Sequence, residues 1–568
     1  MFRLRVLLTC AAVSLVVGPF AVSGRGQIPS SSPRSLLDRV APPAIERGIN
    51  PIGRAAPSSG QLPAGRTQTG GATDRVGAMG TRYRAGRVIV KFKDGVSTTA
   101  RATAMSTVSR TASMSQRAAS QNFDIVDLDA AEDAETAART LRARPDVDYA
   151  QAAYRVHPSL VPNDSFYQKQ WSLPLVDMER AWDIQPAAAS TITVAVLDTG
   201  VAYTPATMRY TASSFCRDSS GNVNSTPCLA SETAYPALGA MTLTFVAATE
   251  LAPLTRFVAP HDFIWNDNLP LDLEGHGTHV SGTIGQLTNN RFNGLGDVAN
   301  GGGTAGVAFN VKLMPVKVLD TEWDDIFGAP NSGTDDIVAL GIRYAADNGA
   351  KIINMSLGRT GPANCGTSPN QNGCAPVVED AIRYAVGRGV FIAIAGGNDF
   401  QSGNPTEVIA EIASRVQGAV SVAAVNLAKG HASYSSTGSW VELAAPGGEF
   451  GAFGTSGGVV QQTLDLDLVD TFALPPSKFT KPRFDSLAYF FFTGTSMATP
   501  HVSGVAAMLM QQGITSPAAI EAALERFALP CSETRNTCDA SVAPNHNATF
   551  GSGLLQARSA LRGLGLAK

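Results

Sequence analysis

Three short segments, far apart in the chain, place the strongest constraint on its fold. Each carries one group that can take part in proton transfer: a carboxylate, an imidazole or a hydroxyl. Glycines in or beside each segment let the backbone approach closely. A fold that uses these groups together must bring Asp198, His276 and Ser496 to one place. The segments are Val196-Leu197-Asp198-Thr199-Gly200, Gly275-His276-Gly277-Thr278-His279-Val280 and Gly494-Thr495-Ser496-Met497-Ala498-Thr499-Pro500-His501.

The chemistry of the three groups predicts a role for each. A serine hydroxyl such as that of Ser496 is a weak nucleophile until a neighbouring base takes its proton. His276 suits this task because an imidazole titrates near neutrality, and Asp198 can hold that ring in one tautomer. The apolar run Met497–Gln511 predicts a buried helix. Its N-terminus, where Ser496 lies, favours developing negative charge.

Each segment taken alone has a plainer interpretation. Asp198 after an apolar run is compatible with an ordinary strand end. His276 and His279 have the spacing of a metal pair, although no third ligand follows at a usual distance. Gly-Thr-Ser before Met497 is compatible with a helix N-cap. The conjunction of all three in the chain order Asp, His, Ser favours catalysis.

With these motifs the chain resembles the subtilisin-like serine proteases, or subtilases, from about Asn163 to Gly553. His276–Ile284 is similar to the histidine helix of that family, and Gly494–Ala506 to its serine helix. The resemblance is to the extracellular bacterial branch with a removable prodomain. It implies a secreted serine endopeptidase that works through an acyl-enzyme, needs no cofactor for its chemistry, acts on proteins or peptides and is made as an autoprocessed zymogen.

The resemblance implies a fourth catalytic residue. Asn398 follows the apolar run Val390–Ala395 and two glycines, Gly396 and Gly397, and it matches the oxyanion-hole asparagine of subtilases. Its side-chain N–H groups and the backbone N–H of Ser496 are expected to face the oxyanion. An asparagine after two glycines is also common in turns.

Two further segments resemble the edges that hold an extended substrate in subtilases. One is Ser356-Leu357-Gly358, which also forms one wall of the primary specificity pocket, and the opposite edge is Ser332-Gly333. Gly397 is expected beside them. Strand addition between such edges binds a peptide through its main chain. Plain surface loops are the alternative. Asp399 follows Asn398 in the chain and is expected near this pocket. Its carboxylate either favours substrates with basic residues or faces solvent.

Repeated apolar runs predict an α/β fold with a parallel sheet covered by helices on both faces. Helix-compatible segments Asp335–Asn348 and Val377–Arg388 lie between some of the runs. Asp198 and Asn398 both follow apolar runs, at strand ends where open sheets bind ligands. The runs are Ile192–Leu197, Val311–Val318, Ile352–Met355, Val390–Ala395, Val420–Val425 and Val441–Ala445.

Ahead of this catalytic domain, predicted at 158–568, the sequence divides into three parts. Residues 1–23 have the charged start, apolar stretch and small-residue end of a secretion signal, with an uncleaved anchor as the alternative. Residues 24–82, rich in Ser, Pro, Gly and Arg, predict a flexible linker. Residues 83–157 predict a small α+β, ferredoxin-like domain resembling the inhibitor and chaperone prodomain of subtilases. Processing is expected between Tyr154 and Pro162.

Composition agrees with this division. A chain of 568 residues is too long for a single hydrophobic core, so two or more domains are expected. A composition of 44% hydrophobic and 16% charged residues argues against disorder. Residues 1–157 carry 21 Lys and Arg against 12 Asp and Glu, a net of +9, whereas the rest carries 23 against 35, a net of −12. The acidic body gives no reason to expect nucleic-acid binding, and no membrane partner is expected after removal of the signal.

Six of the seven cysteines follow the signal and form three close pairs. Six cysteines allow 15 connectivities; export permits oxidation, and near-neighbour disulfides are predicted, with metal binding as the weaker alternative. The pairs are Cys216 with Cys228, Cys365 with Cys374, and Cys531 with Cys538.

Structural calcium is expected by resemblance, with oxygen-rich stretches at Asn266–Asp272 and Asn289–Asp297 offering hard ligands, although ordinary surface turns explain both.

The chain departs from the family at Tyr203–Phe257 and Phe450–Ser486, which leaves the preference for substrate side chains open. A non-catalytic binding protein on the same scaffold, and an esterase or peptide ligase with the same residues, are the rival functions.

Overall fold

The computed structural model describes residues 83–563, except 115–121, 130–131, 155–160, 187, 189, 220, 291–302, 364, 370 and 474. The described chain forms two compact units, one within 83–154 and one within 161–563. The predicted signal, the predicted linker and most of the predicted processing window lie outside the described residues. In the part of the chain that is described, no helix is both long enough and apolar enough to cross a membrane.

The N-terminal unit is an antiparallel sheet with two helices. Its sheet order is β2-β3-β1-β4, which with the β-α-β-β-α-β element order gives the predicted ferredoxin-like fold. Alternate residues of β1, such as Val88 and Val90, are fully buried against Leu141 of the second helix, as period-two alternation requires. The elements are β1 (Tyr83–Phe92), α1 (Thr98–Ser106), β2 (Ser113–Met114), β3 (Asp124–Asp127), α2 (Ala134–Arg142) and β4 (Val147–Tyr154).

The C-terminal unit contains the remaining elements, numbered in chain order. Its strands are β5 (Thr193–Asp198), β6 (Ala206–Ala212), β7 (Phe215–Arg217), β8 (Val223–Ser225), β9 (Thr233–Tyr235), β10 (Gly239–Phe245), β11 (His261–Asp262), β12 (Lys312–Lys317), β13 (Ile352–Met355), β14 (Thr360–Gly361), β15 (Phe391–Ala395), β16 (Thr406–Glu407), β17 (Ala419–Val425), β18 (Leu443–Pro446), β19 (Val459–Leu464), β20 (Leu487–Phe492), β21 (Cys531–Ser532) and β22 (Thr537–Cys538). Its α-helices are α3 (Ser172–Leu175), α4 (Met178–Trp182), α5 (His276–Gly285), α6 (Glu322–Phe327), α7 (Asp335–Asp347), α8 (Pro376–Gly387), α9 (Val408–Ala413), α10 (Leu466–Val469), α11 (Thr495–Gln511), α12 (Pro517–Arg526) and α13 (Ala557–Arg562).

A parallel sheet of order β11-β12-β5-β13-β15-β17-β18 forms the centre of this unit. Each predicted apolar run overlaps one strand of this sheet. The short edge strand β11 lies outside these runs. Strands such as β5, β15 and β17 are buried along their whole length, as expected for a sheet covered on both faces.

The register of the sheet shows which helices cover each face. Asn354 of β13 accepts a hydrogen bond from Ser503 of α11. Leu197 of β5 contacts the helix α7 at Gly341, and it pairs laterally with Met355, the neighbour of Asn354. Because neighbouring residues of a strand point to opposite faces, α11 and α7 cover opposite sides. The predicted α/β architecture is therefore confirmed.

The two segments that depart from the family pattern, Tyr203–Phe257 and Phe450–Ser486, both contain β-strands. The first contains the antiparallel pair of β6 with β10 and, between these strands in the chain, the three-stranded sheet β8-β7-β9. The second contains β19, which pairs in antiparallel register with β20, the strand that leads into the serine helix. No strand was predicted in either segment, although β6 and β10 alternate between polar exposed and apolar more buried residues.

Candidate active site

Asp198 and His276 form a short, buried hydrogen bond. His276 Nδ1 lies 2.7 Å from Asp198 Oδ1, and the two side chains are 0% exposed for Asp198 and 4% for His276. Asp198 Oδ1 also accepts the backbone N–H of Thr199 at 2.8 Å. Since a carboxylate only accepts, the proton between ring and acid belongs to Nδ1, which leaves Nε2 as the basic nitrogen.

The local fold brings these two residues together through Asp272. Asp198 ends β5 and His276 begins α5. Asp272 accepts the backbone N–H of Gly275, the hydroxyl of Thr199, and both the N–H and the hydroxyl of Thr278. It thereby ties the strand end to the first turn of the helix, a role that no motif in the sequence indicated.

Charges around the imidazole favour its protonated form. Burial by itself lowers the pKa of His276, but the charge of Asp198, the hydrogen bond to it, and the charges of Glu274 and Asp272 together raise it to about 9. Glu274 has a buried Oε2 with no hydrogen-bond partner, and burial raises the pKa of its carboxyl to about 8. The protonation of His276 is thus set by a cluster of carboxyls.

Ser496 lies in the first turn of α11 and is 8% exposed. Its Oγ donates to the carbonyl of Ser356 at 3.3 Å, so in this structure the hydroxyl is paired with the residue that follows β13 rather than with His276. Ser356 Oγ in turn donates to the Ser496 carbonyl at 2.8 Å. The usual helical donor to that carbonyl would be residue 500, which is Pro500 and has no N–H.

Asn398 Nδ2 and the backbone nitrogen of Ser496 lie close to one point beside Gly494. The Oδ1 of Asn398 accepts the N–H and the hydroxyl of Thr495 at 2.9 and 3.0 Å, which fixes the amide orientation and leaves Nδ2 free to donate. A Cβ built on Gly494 would lie 3.7 Å from Asn398 Nδ2 and 3.6 Å from Ser496 N. Both donors therefore border the space that Gly494, at φ 154°, leaves open.

The predicted substrate edges differ in their exposure. Ser356 and Leu357 are nearly buried, at 3% and 4%, and Gly358 is half-buried. On the opposite edge Ser332 is exposed, while the buried Gly333 donates its N–H to Asp320 Oδ1 at 2.7 Å. This bond holds the edge against the chain that follows β12.

All three near-neighbour disulfides are present. The S–S bonds link Cys216 with Cys228, Cys365 with Cys374, and Cys531 with Cys538. The last pair joins the two strands of the small hairpin β21–β22. Glu232 lies close to the first disulfide, but sulfurs already joined to one another are not thiolate ligands for a metal.

The two oxygen-rich stretches fit a calcium ion unequally. In the first, Asp267 and Asp272 use their oxygens to accept hydrogen bonds from the surrounding chain, so this stretch does not fit. In the second, residues 291–297 lie outside the described residues; Asn290 is 2% exposed and its Oδ1 has no partner. Its amide donates to Glu250 and its backbone to Asp164, both buried carboxylates. Asp164 and Glu250 therefore also accept hydrogen bonds from the chain, and the unsatisfied Oδ1 of Asn290 is the one feature that favours a cation at this stretch.

Two buried charged groups near the cleft have no clear sequence signal. Lys317, at the end of β12, is fully buried; it pairs with Asp324 at 2.8 Å and donates to the Thr199 carbonyl at 2.6 Å. Glu407, the last residue of β16, is 2% exposed. Only tertiary contacts bring either residue to the cleft, and a lysine at the end of an apolar strand does not by itself indicate its partner.

Comparison with known proteins agrees with this geometry. A family model described as the subtilase family matches residues 189–553, more than half of the chain. A second model, the fervidolysin N-terminal prodomain, matches residues 72–152. The chain belongs to the subtilase family, and the resemblance inferred from its motifs is confirmed. It is a serine endopeptidase made with an N-terminal prodomain, and the reaction of this family needs no cofactor.

Individual relatives are similar over most of the chain. A thermophilic serine proteinase of Bacillus sp. (strain AK1) is 29% identical, covering 76% of this chain and 79% of the relative. An extracellular protease of Xanthomonas campestris pv. campestris is also 29% identical, covering 78% and 68%. Thermitase of Thermoactinomyces vulgaris is 29% identical, covering 65% and 91%.

Proposed function

We propose that Ser496, His276, Asp198 and Asn398 carry out the endopeptidase reaction. The observation that supports this most directly is the 2.7 Å bond between His276 Nδ1 and Asp198 Oδ1, which leaves Nε2 as a base. The second is the convergence of Asn398 Nδ2 and Ser496 N on one space beside Gly494, the arrangement an oxyanion needs.

The reaction follows from these positions. Ser496 Oγ turns from the Ser356 carbonyl toward His276 Nε2, loses its proton to that nitrogen and bonds to the scissile carbonyl carbon. Asn398 Nδ2 and Ser496 N donate to the oxyanion. His276 then returns the proton to the leaving amine as the C–N bond breaks. Water, deprotonated by the same ring, releases the acyl group and restores the Ser496 hydroxyl.

The substrate is a protein or peptide bound in extended form. Ser356-Leu357-Gly358 on one side and Ser332-Gly333 on the other would pair with its main chain, and Gly397 would border the residue before the scissile bond. Main-chain pairing gives affinity that is largely independent of sequence. Selectivity then depends on the side chains around the primary pocket.

We assign the unit within residues 83–157 as inhibitor and folding aid of the catalytic domain at 158–568. Cleavage between Tyr154 and Pro162 would release it. Cuts after His157 or Val161 are disfavoured because proline follows both. The signal at 1–23 would direct secretion, with the linker at 24–82 removed together with the prodomain. N-terminal sequencing of the secreted protein tests this, and a first residue beyond Trp171 would contradict it.

A structural calcium ion is proposed at the second oxygen-rich stretch. Asn290, Asp164 and Glu250 would hold it through oxygen atoms. Its contribution would be to fix the chain around α5, with no part in the reaction. The orphaned Oδ1 of Asn290 is the observation that supports this site.

The decisive experiment compares Ser496→Ala with Ser414→Ala, a change at an exposed serine. Ser496→Ala should abolish casein hydrolysis, self-processing and labelling by a fluorophosphonate probe, whereas Ser414→Ala should retain all three. Unchanged hydrolysis in Ser496→Ala would refute the assignment. Absence of labelling in the unmodified protein would favour a binding protein, and activity on esters without activity on amides would favour an esterase.

A further inference from the structure

Glu407 lies against both glycine edges of the proposed cleft. It ends β16, which pairs with β14 directly after the Ser356-Leu357-Gly358 edge. A Cβ built on Gly358 would lie 3.3 Å from Glu407 Oε2, and one built on Gly397 would collide with Glu407 Cγ, Cδ and Oε1. The carboxyl therefore occupies the space that the two glycines leave between them. Gly397 is the neighbour of Asn398, so this space adjoins the oxyanion donors.

A second carboxyl faces the first. Asp399, half-buried and next to Asn398 in the chain, shares a side-chain hydrogen bond with Glu407. Burial, together with the charge and hydrogen bond of Asp399, raises the pKa of Glu407 to about 8. One proton held between two acids is the expected state of such a pair.

This acidic pair has no counter-ion in the described part of the chain. Neither residue belongs to any of its salt bridges. Arg359, which follows Gly358, is already held by Asp335 at 2.5 and 2.8 Å and by the Gly373 carbonyl. A buried carboxyl without a cation is costly, and a cationic guest would relieve that cost.

We propose that Glu407, with Asp399 beside it, makes the primary specificity pocket selective for lysine or arginine at the residue whose carbonyl Ser496 attacks. The inference rests on the proposed roles of Ser496 and Asn398. A lysine or arginine side chain has an apolar stem that would lie along the Ser356-Leu357-Gly358 edge and a charged end that would reach the carboxyls. An apolar guest would leave the pair without a partner and bind less well.

The sequence of the predicted processing window agrees with this preference. Between Tyr154 and Pro162 there is one lysine or arginine, Arg155. Selectivity for a basic residue therefore predicts self-cleavage after Arg155 and a new N-terminus at Val156. Arg155→Leu should slow this cleavage and leave hydrolysis of small peptides by the mature protein unchanged.

Fluorogenic tetrapeptides that differ only in the residue before the scissile bond test the inference on the mature protein. We expect kcat/KM for Arg and Lys to exceed that for Leu and Phe on the order of 100-fold, the range of a buried charge pair. Hydrolysis with equal or greater kcat/KM for Leu or Phe would overturn this inference alone. No hydrolysis of any peptide and no fluorophosphonate labelling would overturn the proposed function as well.

Two variants test whether Glu407 determines the preference for basic residues. Glu407→Gln should reduce the Arg-to-Leu ratio to below about tenfold while changing Leu hydrolysis only a few-fold. Glu442→Gln alters another buried glutamate, whose partner is the Ser421 N–H, and should keep the full ratio. If Glu407→Gln does not fold, Asp399→Asn gives the second measurement, with a reduced ratio expected. An unchanged ratio in the folded variant would exclude the acidic pair as the determinant.

Discussion

Ser356 and Ser496 are joined by two reciprocal hydrogen bonds, each from the hydroxyl of one to the carbonyl of the other, at 2.8 and 3.3 Å. The first of these fills the place of the helical donor that Pro500 lacks. Asn354 Nδ2 donates to Ser356 Oγ at 2.9 Å, and Ser503 Oγ donates to Asn354 Oδ1 at 2.8 Å. A buried chain of polar groups thus connects α11 to the end of β13 and back to the nucleophile.

The first prediction concerns this chain. Ser356→Ala removes the donor to a buried carbonyl, which costs about 1–3 kcal/mol of unfolding free energy. Urea denaturation in a Ser496→Ala background measures that loss. Because the nucleophile's turn would be less well fixed, kcat should fall about tenfold with KM little changed. Ser414→Ala should stay within about 0.5 kcal/mol of the unmodified protein, and an equal loss there would contradict the prediction.

The pKa of His276 predicts an alkaline activity profile. Only neutral imidazole accepts the Ser496 proton, and the pKa of His276 is raised to about 9. Activity should therefore increase with pH. The midpoint of the rise in kcat/KM should lie above the ordinary imidazole pKa of about 6.5. Glu274→Gln removes one of the charges that raise this pKa, so the midpoint should move to lower pH. A midpoint at or below about 6.5 in the unmodified protein would show that the surrounding carboxyls do not hold the proton on the ring.

The same shift links protonation to stability. The pKa of His276 is higher in the folded than in the unfolded chain, so its contribution is fully present below about 6.5 and is lost as pH rises through about 9. Thermal unfolding of Ser496→Ala on the acid side of this window and again on its alkaline side should show this loss. In Ser496→Ala/His276→Ala the difference between the two conditions should be smaller; an identical difference would exclude His276 as its source.

Removal of the proposed oxyanion donor should affect the rate rather than binding. Asn398→Ala is expected to lower kcat by about 10²–10³, the loss known for the corresponding asparagine of subtilisin, with little change in KM. Asn404→Ala is the matched control. Asn404 lies in the same loop as Asn398, and its amide donates to Thr437 of another loop. Kinetics with one tetrapeptide substrate measures both, and a loss of less than about tenfold in Asn398→Ala would argue against the role.

Calcium removal should lower thermal stability without changing the chemistry. Chelation with EGTA should decrease the Tm of Ser496→Ala, and added calcium should restore it. Asn290→Ala, which removes the unpartnered Oδ1, should make the Tm insensitive to calcium. A Tm that responds equally in both proteins would place any bound ion elsewhere.

The strands of the central sheet could be predicted because they are continuous apolar runs bounded by glycine and polar residues. The ferredoxin-like order of elements in the N-terminal unit could also be predicted. The pairing of β6 with β10 and that of β19 with β20 could not. β6 and β10 do alternate between apolar and polar residues, but the partner of each strand is set by contacts between segments distant in the chain.

Motifs alone identified Asp198, His276 and Ser496 as candidates, because an acid, a base and a nucleophile with flanking glycines are local features of sequence. Folding decided what surrounds them. Asp272 binding the first turn of α5, Ser356 supplying the bond that Pro500 cannot donate, and Glu407 lying between Gly358 and Gly397 all depend on contacts between segments far apart in the chain. Hydrogen bonds and burial act over a few ångströms in space, whatever the separation in sequence, and for that reason only the tertiary structure specifies the charge and shape of the cleft.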